Sequence, residues 1–300
     1  MIRYALPQDL PRVRALWETG FGNEEPYTGW YFRRVWRSER TLLYENEGRP
    51  VSSLQLAPYR LSLAGRSVSA AYIVGVVTEP ECRGRGYASR LLRRALNDLE
   101  RQGAELALLY TDIPGFYEPL GFTCCYHLRQ LRFPAADDAG PLWPAMQPAG
   151  KALDHCQSVY CRMCRDLDGY VLRTEDDWQT YVGDWLTDSR NGLYIGADAY
   201  FLTDRGEAGL SLKELGYASQ EALAAALEAA ARLAAALGCD SFGWDAPESA
   251  PLPRQAWETR RPWVMARVTG ADDLPADQAT AATRTRLRAP SPRLWVGEIT

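Results

Sequence analysis

Apolar positions in the first part of the chain alternate between the spacing of helices and that of strands. Leu10, Val13, Leu16 and Trp17 share one face over Gln8–Glu18, which predicts an amphipathic helix. A second helix is predicted over Ala88–Arg101. Strands are predicted over Arg40–Tyr44, Pro50–Arg60, Arg66–Thr78 and Glu105–Thr111. This alternation of helices and strands is typical of an α/β (α+β) domain.

The same order of elements recurs in the second half of the chain. A predicted strand, Ala208–Leu215, leads into Gly216-Tyr217-Ala218-Ser219, which matches Gly86-Tyr87-Ala88-Ser89 letter by letter. A long Ala-rich helix follows over Gln220–Leu237, and then a strand over Asp240–Asp245. Ser before a helix and Gly after it recur by chance, so coincidence stays open. The matching order of elements favours a duplicated fold.

A segment without periodicity, rich in Pro, Ala and Gly, separates the two halves. We therefore predict a first domain over residues 1–135, a linker over 136–152 and a second domain over 153–300. The length of 300 residues suits two domains of ordinary size.

Composition and charge indicate which class of protein and which partners the chain suits. The chain is 46% apolar and 24% charged, which is the balance of an ordinary folded protein. A net charge of −4 without a Lys or Arg block argues against nucleic acid or membrane as a partner, and weakly favours a cationic substrate. Seven scattered Cys, no signal-peptide core and no long apolar span lead us to expect a cytoplasmic protein.

The most informative motif is Arg83-Gly84-Arg85-Gly86, which stands between a predicted strand and a helix. A helix start presents unpaired N–H groups and partial positive charge to an anion. The two glycines allow the backbone to approach a phosphate, and the two arginines add charge-assisted hydrogen bonds. The pattern predicts a pyrophosphate site, with an ordinary surface turn as the alternative. It is neither a Walker loop nor a dinucleotide fingerprint, whose third Gly would fall at Ser89.

A second motif, Gly115-Phe116-Tyr117-Glu118-Pro119-Leu120-Gly121-Phe122, follows after the next predicted strand. The pair resembles the two signatures of GNAT (GCN5-related) N-acetyltransferases: an R-G-x-G-[apolar]-A turn for the pyrophosphate of CoA, and a downstream F-Y-x-x-L-G-F. The resemblance covers roughly residues 1–130. It departs from the family at Glu81, where Gln or Arg is frequent.

The resemblance implies the GNAT fold, an α/β (α+β) arrangement with a mixed central sheet flanked by helices. It also implies acetyl-CoA as cosubstrate and no metal. In this family the pantetheine arm enters between two parallel strands that diverge, here Ala70–Thr78 and Glu105–Thr111. A strand N–H near Val76 or Val77 polarises the thioester carbonyl. The implied cofactor-binding residues are Val76, Val77, Thr78, Arg83, Gly84, Arg85, Gly86, Tyr87, Ala88 and Ser89.

Tyr117 matches the Tyr that protonates the departing thiolate in many family members. The alternative is a core aromatic residue beside Phe116 and Phe122. No motif identifies a general base. Candidates are a water chain or one of five carboxylates: Glu24, Glu25, Glu79, Asp112 and the C-terminus at Thr300.

An aromatic cluster lies where the family places the two helices that cover the acceptor site. Its members are Trp17, Phe21, Tyr27, Trp30, Tyr31 and Trp36. We expect Phe21, Trp30 and Trp36 to contact the acceptor by cation–π interaction, with burial in the core as the alternative. The implied reaction is direct attack by a primary amine on acetyl-CoA in a ternary complex, with a small-molecule amine as acceptor.

Residues Tyr72–Ser89 most resemble the Eis-like branch, in which a second GNAT-like unit follows the catalytic one. We expect this chain to lack the sterol-carrier-like third domain of that branch. The second unit lacks the Gly-rich turn. We therefore expect it to be degenerate and to build the acceptor pocket or a subunit contact, which leaves a homo-oligomer open.

Two other functions stay open: a catalytically silent acyl-CoA sensor or scaffold, and an acetyltransferase for protein N-termini or lysines. Cys156, Cys161 and Cys164 beside His155 fit a buried helix better than a metal site. Two His and no Gly-x-Ser-x-Gly argue against a serine hydrolase.

Overall fold

The computed structural model describes residues 1–206, 209–248, 250–251, 257–271 and 274–287. They form two compact units: Met1–Cys125 with the described residues from Trp263 onward, and Tyr126–Pro262. Each unit combines β-strands with helices, as predicted.

In the first unit, the first five strands form a mixed sheet in which each strand lies beside the next one in the sequence. Its elements are β1 (Ile2–Tyr4), α1 (Leu10–Phe21), α2 (Tyr27–Arg34), β2 (Thr41–Asn46), β3 (Arg49–Leu63), β4 (Arg66–Thr78), α3 (Tyr87–Arg101), β5 (Leu106–Leu109) and α4 (Pro114–Tyr117). Strands β1 to β4 pair antiparallel with their neighbours. Helix α3 then crosses over, so that β5 pairs parallel with β4. The apolar periodicity of the two predicted helices is confirmed, because Val13, Leu16 and Trp17 of α1 and Leu91, Leu92 and Leu96 of α3 are buried.

The second unit repeats this arrangement. The chain continues through β6 (Thr123–Pro134), β7 (Ala145–Met146), α5 (Lys151–Met163), β8 (Tyr170–Val171), α6 (Glu175–Trp185), β9 (Leu193–Ile195), β10 (Ala199–Gly206), β11 (Gly209–Tyr217), α7 (Gln220–Ala236) and β12 (Ser241–Pro247). The hairpin of β10 and β11 precedes α7, and β12 pairs parallel with β11, as β5 does with β4. The predicted repetition of strand, helix and strand is therefore confirmed.

The starts of the two crossover helices differ. Helix α7 begins at Ser219, whose hydroxyl accepts a hydrogen bond from the backbone N–H of Ala222 at 3.1 Å. Helix α3 begins at Gly86, which has no side chain to cap it. The first turn of α7 thus satisfies one of its own donors, whereas the first turn of α3 leaves its donors for other partners.

The last elements are β13 (Trp257–Val268) and α8 (Ala276–Leu287). From Trp263 onward they belong to the first unit, because β13 pairs antiparallel with β5 from Met265–Leu109 to Val268–Leu106. The backbone N–H of Val268 donates to the hydroxyl of Thr283, which fixes α8 to this strand. The compact units and the sequence-based boundaries thus divide the chain differently, and those boundaries stay a prediction.

A β-bulge interrupts β4 at Gly75. Val74 lies opposite Gln55 and Val77 opposite Ser53, so Gly75 and Val76 together face the single residue Leu54. Gly75 has a φ of 65°, and a Cβ there would lie 3.0 Å from Cζ3 of Trp17. Strands β4 and β5 pair as far as Tyr72 and Leu108, just before the bulge. Both the backbone conformation and the packed indole require glycine at this position.

We predict that Gly75→Ala destabilises the first unit more than Gly65→Ala does. Gly65 also has a positive φ, of 73°, but a Cβ there meets nothing within 4 Å. Both variants incur backbone strain of about 1 kcal/mol. Only Gly75→Ala also displaces Trp17, which adds about 1–3 kcal/mol of overpacking. Denaturant unfolding measures the difference, and equal losses in the two variants contradict the bulge as a packed feature.

Candidate functional site

A cavity of about 520 Å³ lies in the first unit where β4 and β5 stop pairing. Residues Tyr72–Val76 of β4 and Tyr110–Ile113, after β5, line it together with residues from α1 and the loop that follows α1. Six of its sixteen lining residues are aromatic: Trp17, Phe21, Tyr27, Tyr72, Tyr110 and Tyr117. The divergence of two parallel strands therefore opens a largely aromatic space at their carboxyl ends.

Tyr117 lies at the end of α4 and lines this cavity. Its side chain is only 7% exposed and meets Phe116 and Phe122 edge to face, at centroid distances of 4.9 and 5.9 Å. The turn after α4 depends on Gly121, which has a φ of 83° and whose Cβ would lie 2.8 Å from Cβ of Ala279. Burial raises the pKa of Tyr117 to about 12, so its hydroxyl stays protonated near neutral pH and serves as a donor.

The predicted phosphate turn lies at the start of α3. Residues Arg83–Ser89 are here named the cradle. Gly84 and Gly86 both have a φ of 75°, and a Cβ at either position meets nothing within 4 Å. The glycines are therefore required by the backbone conformation, and the space in front of them is open. The side chains of Arg83 and Arg85 are exposed beside this space, with Nε of Arg83 donating to the carbonyl of Thr78 at 3.1 Å.

The other predicted cofactor residues have side chains that serve the structure of the unit. The ring of Tyr87 stacks on Tyr44 at 4.1 Å and its hydroxyl donates to Asn46. Val77 packs against Gly20 of α1, and Oγ1 of Thr78 is hydrogen-bonded to Ser52 at 2.8 Å. These residues can therefore offer backbone groups to a cofactor. Val76 lines the cavity, and Ala88 and Ser89 form the first turn of α3.

The four carboxylate candidates inside the described residues fall into two groups. Glu79 is buried, and its Oε1 forms ion pairs with Arg12 and Arg49. Its second oxygen, Oε2, is buried without a hydrogen-bond partner. Glu25 pairs with Arg14 at 2.6 Å. Glu24 and Asp112 instead line the cavity, and the hydroxyl of Tyr110 donates to Asp112 at 2.7 Å. Thr300 lies outside the described residues.

The three aromatic residues predicted to contact the acceptor lie in two different places. Phe21 lines the cavity, is 46% exposed and packs against Trp17 at 4.9 Å. Trp30 and Trp36 instead pack on the buried cluster that contains Trp17, Tyr31 and Phe32. The acceptor contact of these two tryptophans stays a prediction.

Sequence reasoning missed Tyr72, Gly75, Tyr110 and Ile113 as site residues. The signal was present for Gly75, since an isolated glycine inside an apolar strand is typical of a bulge. No signal distinguished the two tyrosines from ordinary strand residues. Both line the cavity at the point where the pairing of β4 with β5 ends.

The described residues also bear on two other functions, metal binding and membrane insertion. In this part of the chain, no group of three or more His, Cys, Asp or Glu residues has the geometry of a metal site. None of its helices has both the length and the apolar character of a membrane span.

Residues 1–125 match a protein-family model described as an acetyltransferase (GNAT) domain. Among curated protein sequences no match is found. Solved structures with the same fold include a probable N-acyltransferase from Enterococcus faecalis V583, with 18% identity over 90% of this chain and 72% of that one, and a TM-score of 0.73.

Two further structures are similar. A GCN5-related N-acetyltransferase from Kribbella flavida has 22% identity over 89% of this chain and 70% of its own, with a TM-score of 0.69. Eis1 from Mycobacterium abscessus has 16% identity over 90% of this chain and 74% of its own, with a TM-score of 0.67. These structures confirm the predicted fold, and residues 1–125 are similar to the acetyltransferase (GNAT) family model.

The raised pKa of Tyr117 predicts how stability changes in alkali. Below pH 10 the phenol is protonated in both folded and unfolded chains. Between its ordinary pKa of 10.0 and the folded value of about 12, the unfolded chain loses the proton first, so stability falls as pH rises. At pH 11 this amounts to about 1.4 kcal/mol.

Tyr117→Phe removes this contribution. We therefore expect the variant to lose about 1.4 kcal/mol less than the parent between pH 8 and pH 11, measured by denaturant unfolding at each pH. Parallel losses in the two proteins contradict the burial of a neutral phenol at this position.

Proposed function

We propose that this chain, whose residues 1–125 match an acetyltransferase (GNAT) domain model, transfers an acetyl group from acetyl-CoA to the primary amine of a small molecule. One observation carries the proposal: a single strand, β4, joins a cavity to an anion cradle. Val76 lines the cavity, Thr78 ends the strand, and the cradle begins five residues later at Arg83. A substrate with a thioester at one end and a pyrophosphate at the other fits this order.

The parts of acetyl-CoA are assigned from the cradle inward. The pyrophosphate binds the N–H groups of Gly84–Ser89, supported by the exposed Arg83 and Arg85. The pantetheine arm follows the backbone of β4 from Thr78 toward Val76, a part of the strand beyond its pairing with β5. The acetyl group then reaches the cavity beside Tyr117. The N–H of Val76 or Val77 is the donor for the thioester oxygen.

The chemistry is direct attack by a neutral amine on the thioester carbonyl in a ternary complex. The new C–N bond forms, the C–S bond breaks, and the amine proton leaves through water or a carboxylate at the cavity. Tyr117 donates its O–H to the sulfur as negative charge develops there. With a pKa of about 12 it is a weaker acid than a thiol of ordinary pKa near 8.5, so its main contribution is the hydrogen bond to the departing sulfur.

An acyl-CoA sensor is the second candidate, since the cradle alone suffices for binding. A sensor does not use a buried phenol placed at the thioester end of the site. The position of Tyr117 in the cavity therefore favours catalysis, and variants of the cradle and of Tyr117 separate the two functions.

We predict that acetyl-CoA raises the melting temperature of the full chain. At about a hundred times the dissociation constant, binding stabilises the folded state by about 2.7 kcal/mol. Gly86→Val abolishes this shift, because a side chain then fills the space in front of the helix start. Gly65→Val is the matched control, since it replaces a glycine of similar φ in a distant turn. An unchanged shift in Gly86→Val, or none in the parent, contradicts the cradle.

We predict that Tyr117→Phe lowers kcat about a hundredfold while the dissociation constant for acetyl-CoA stays within about twofold. The readouts are thiol release with an amine and calorimetric binding. Tyr4→Phe is the control, because it removes another hydroxyl of the first unit, one that donates to Asp98 outside the cavity. A kcat for Tyr117→Phe equal to that of the parent contradicts its role in turnover.

A further inference from the structure

Among the described residues that line the cavity, the charged ones are Glu24 and Asp112, and both are acidic. Neither carboxylate forms a salt bridge within the described part of the chain, whereas Glu25 and Glu79 are paired with arginines. The described lining therefore presents negative charge to whatever enters the cavity.

Asp112 is held in place by a neighbouring phenol. The hydroxyl of Tyr110 donates to Oδ1 of Asp112 at 2.7 Å, and both residues line the cavity. A carboxylate accepts hydrogen bonds at two oxygens, so acceptor capacity remains for an ammonium group. The pair thus provides an oriented anionic contact next to aromatic faces.

Exposed apolar side chains form another part of the lining. Phe21 and Ile113 are 46% and 63% exposed, and both line the cavity. Large apolar side chains exposed together mark a binding surface for apolar groups. The aromatic rings of Trp17, Tyr27 and Tyr72 continue the same surface inward. An aryl or alkyl body buries apolar area against these side chains, which a polyhydroxylated body does to a smaller extent.

From this lining we infer that the acceptor is a hydrophobic primary amine, with an aryl or alkyl body and no carboxylate. The inference rests on the proposed function and names its substrate class. The two carboxylates attract the ammonium form and repel an anionic acceptor, while the aromatic and aliphatic side chains bind the body. Discrimination arises from charge repulsion, which selects against an anionic ligand, and from the apolar area that an aryl or alkyl body buries.

The test is a set of matched amines with the purified full chain and saturating acetyl-CoA. Tyramine and tyrosine differ by one carboxylate, whereas phenethylamine and glucosamine are an apolar and a polyhydroxylated amine. We expect kcat/KM for tyramine to exceed that for tyrosine by about a hundredfold or more, and phenethylamine to exceed glucosamine by a similar factor. Equal or reversed preferences overturn the inference.

The charge contribution is tested separately in the double variant Glu24→Gln with Asp112→Asn. We expect the ratio of tyramine to tyrosine to fall about tenfold or more, because the repulsion is gone. A loss of kcat that is equal for all amines, with an unchanged ratio, contradicts charge selection. Glu118→Gln is the control, since Glu118 is exposed and adjacent to Tyr117 in sequence but outside the lining, and its ratio should match the parent.

Failure of the inference and failure of the proposed function give different results. Amines that are acetylated with tyrosine or glucosamine preferred leave the proposed function intact and overturn the substrate class. A protein that acetyl-CoA stabilises but that acetylates none of the four amines contradicts both. Because the parent protein alone decides the substrate class, the outcome does not depend on the folding of any variant.

Discussion

The packing of Trp17 against the backbone of Gly75 is the constraint on which the site depends. The indole leaves no room for a side chain at residue 75, and the left-handed backbone there inserts an extra residue into β4. The pairing of β4 with β5 ends just before this bulge, at Tyr72. Trp17, Tyr72, Gly75, Val76 and Tyr110 all line the cavity at this point. The contact between α1 and β4 thus forms part of the cavity wall.

The other end depends on how a helix begins. Both units have a crossover helix between parallel strands, yet α7 uses the hydroxyl of Ser219 as its cap and α3 starts at a bare glycine. An uncapped helix start with open space in front of it offers its N–H groups to an anion, whereas a capped one has already used part of that capacity. The duplicated topology therefore carries one cradle, and the difference resides in a few residues.

Local motifs made the fold and the cradle predictable, because helix spacing, turn glycines and the Tyr117 segment are encoded in neighbouring residues. Contacts between distant segments were not predictable. The ion pairs of Glu79 with Arg12 and Arg49 join segments that are far apart in the sequence. Trp30 and Trp36 lie on the same short stretch as Phe21, but their rings pack on the core. The return of β13 to β5 pairs residues far apart in sequence, which no local pattern specifies.

The most direct test is a crystal structure of the protein with bound CoA. We predict that the pyrophosphate contacts the N–H groups of Gly84–Ser89 and that the pantetheine arm follows β4 toward the bulge at Gly75. The sulfur should lie within hydrogen-bonding reach of the hydroxyl of Tyr117. CoA bound elsewhere, or a sulfur that points away from Tyr117 with β4 and β5 paired beyond Tyr72, contradicts the proposed acetyl-CoA site.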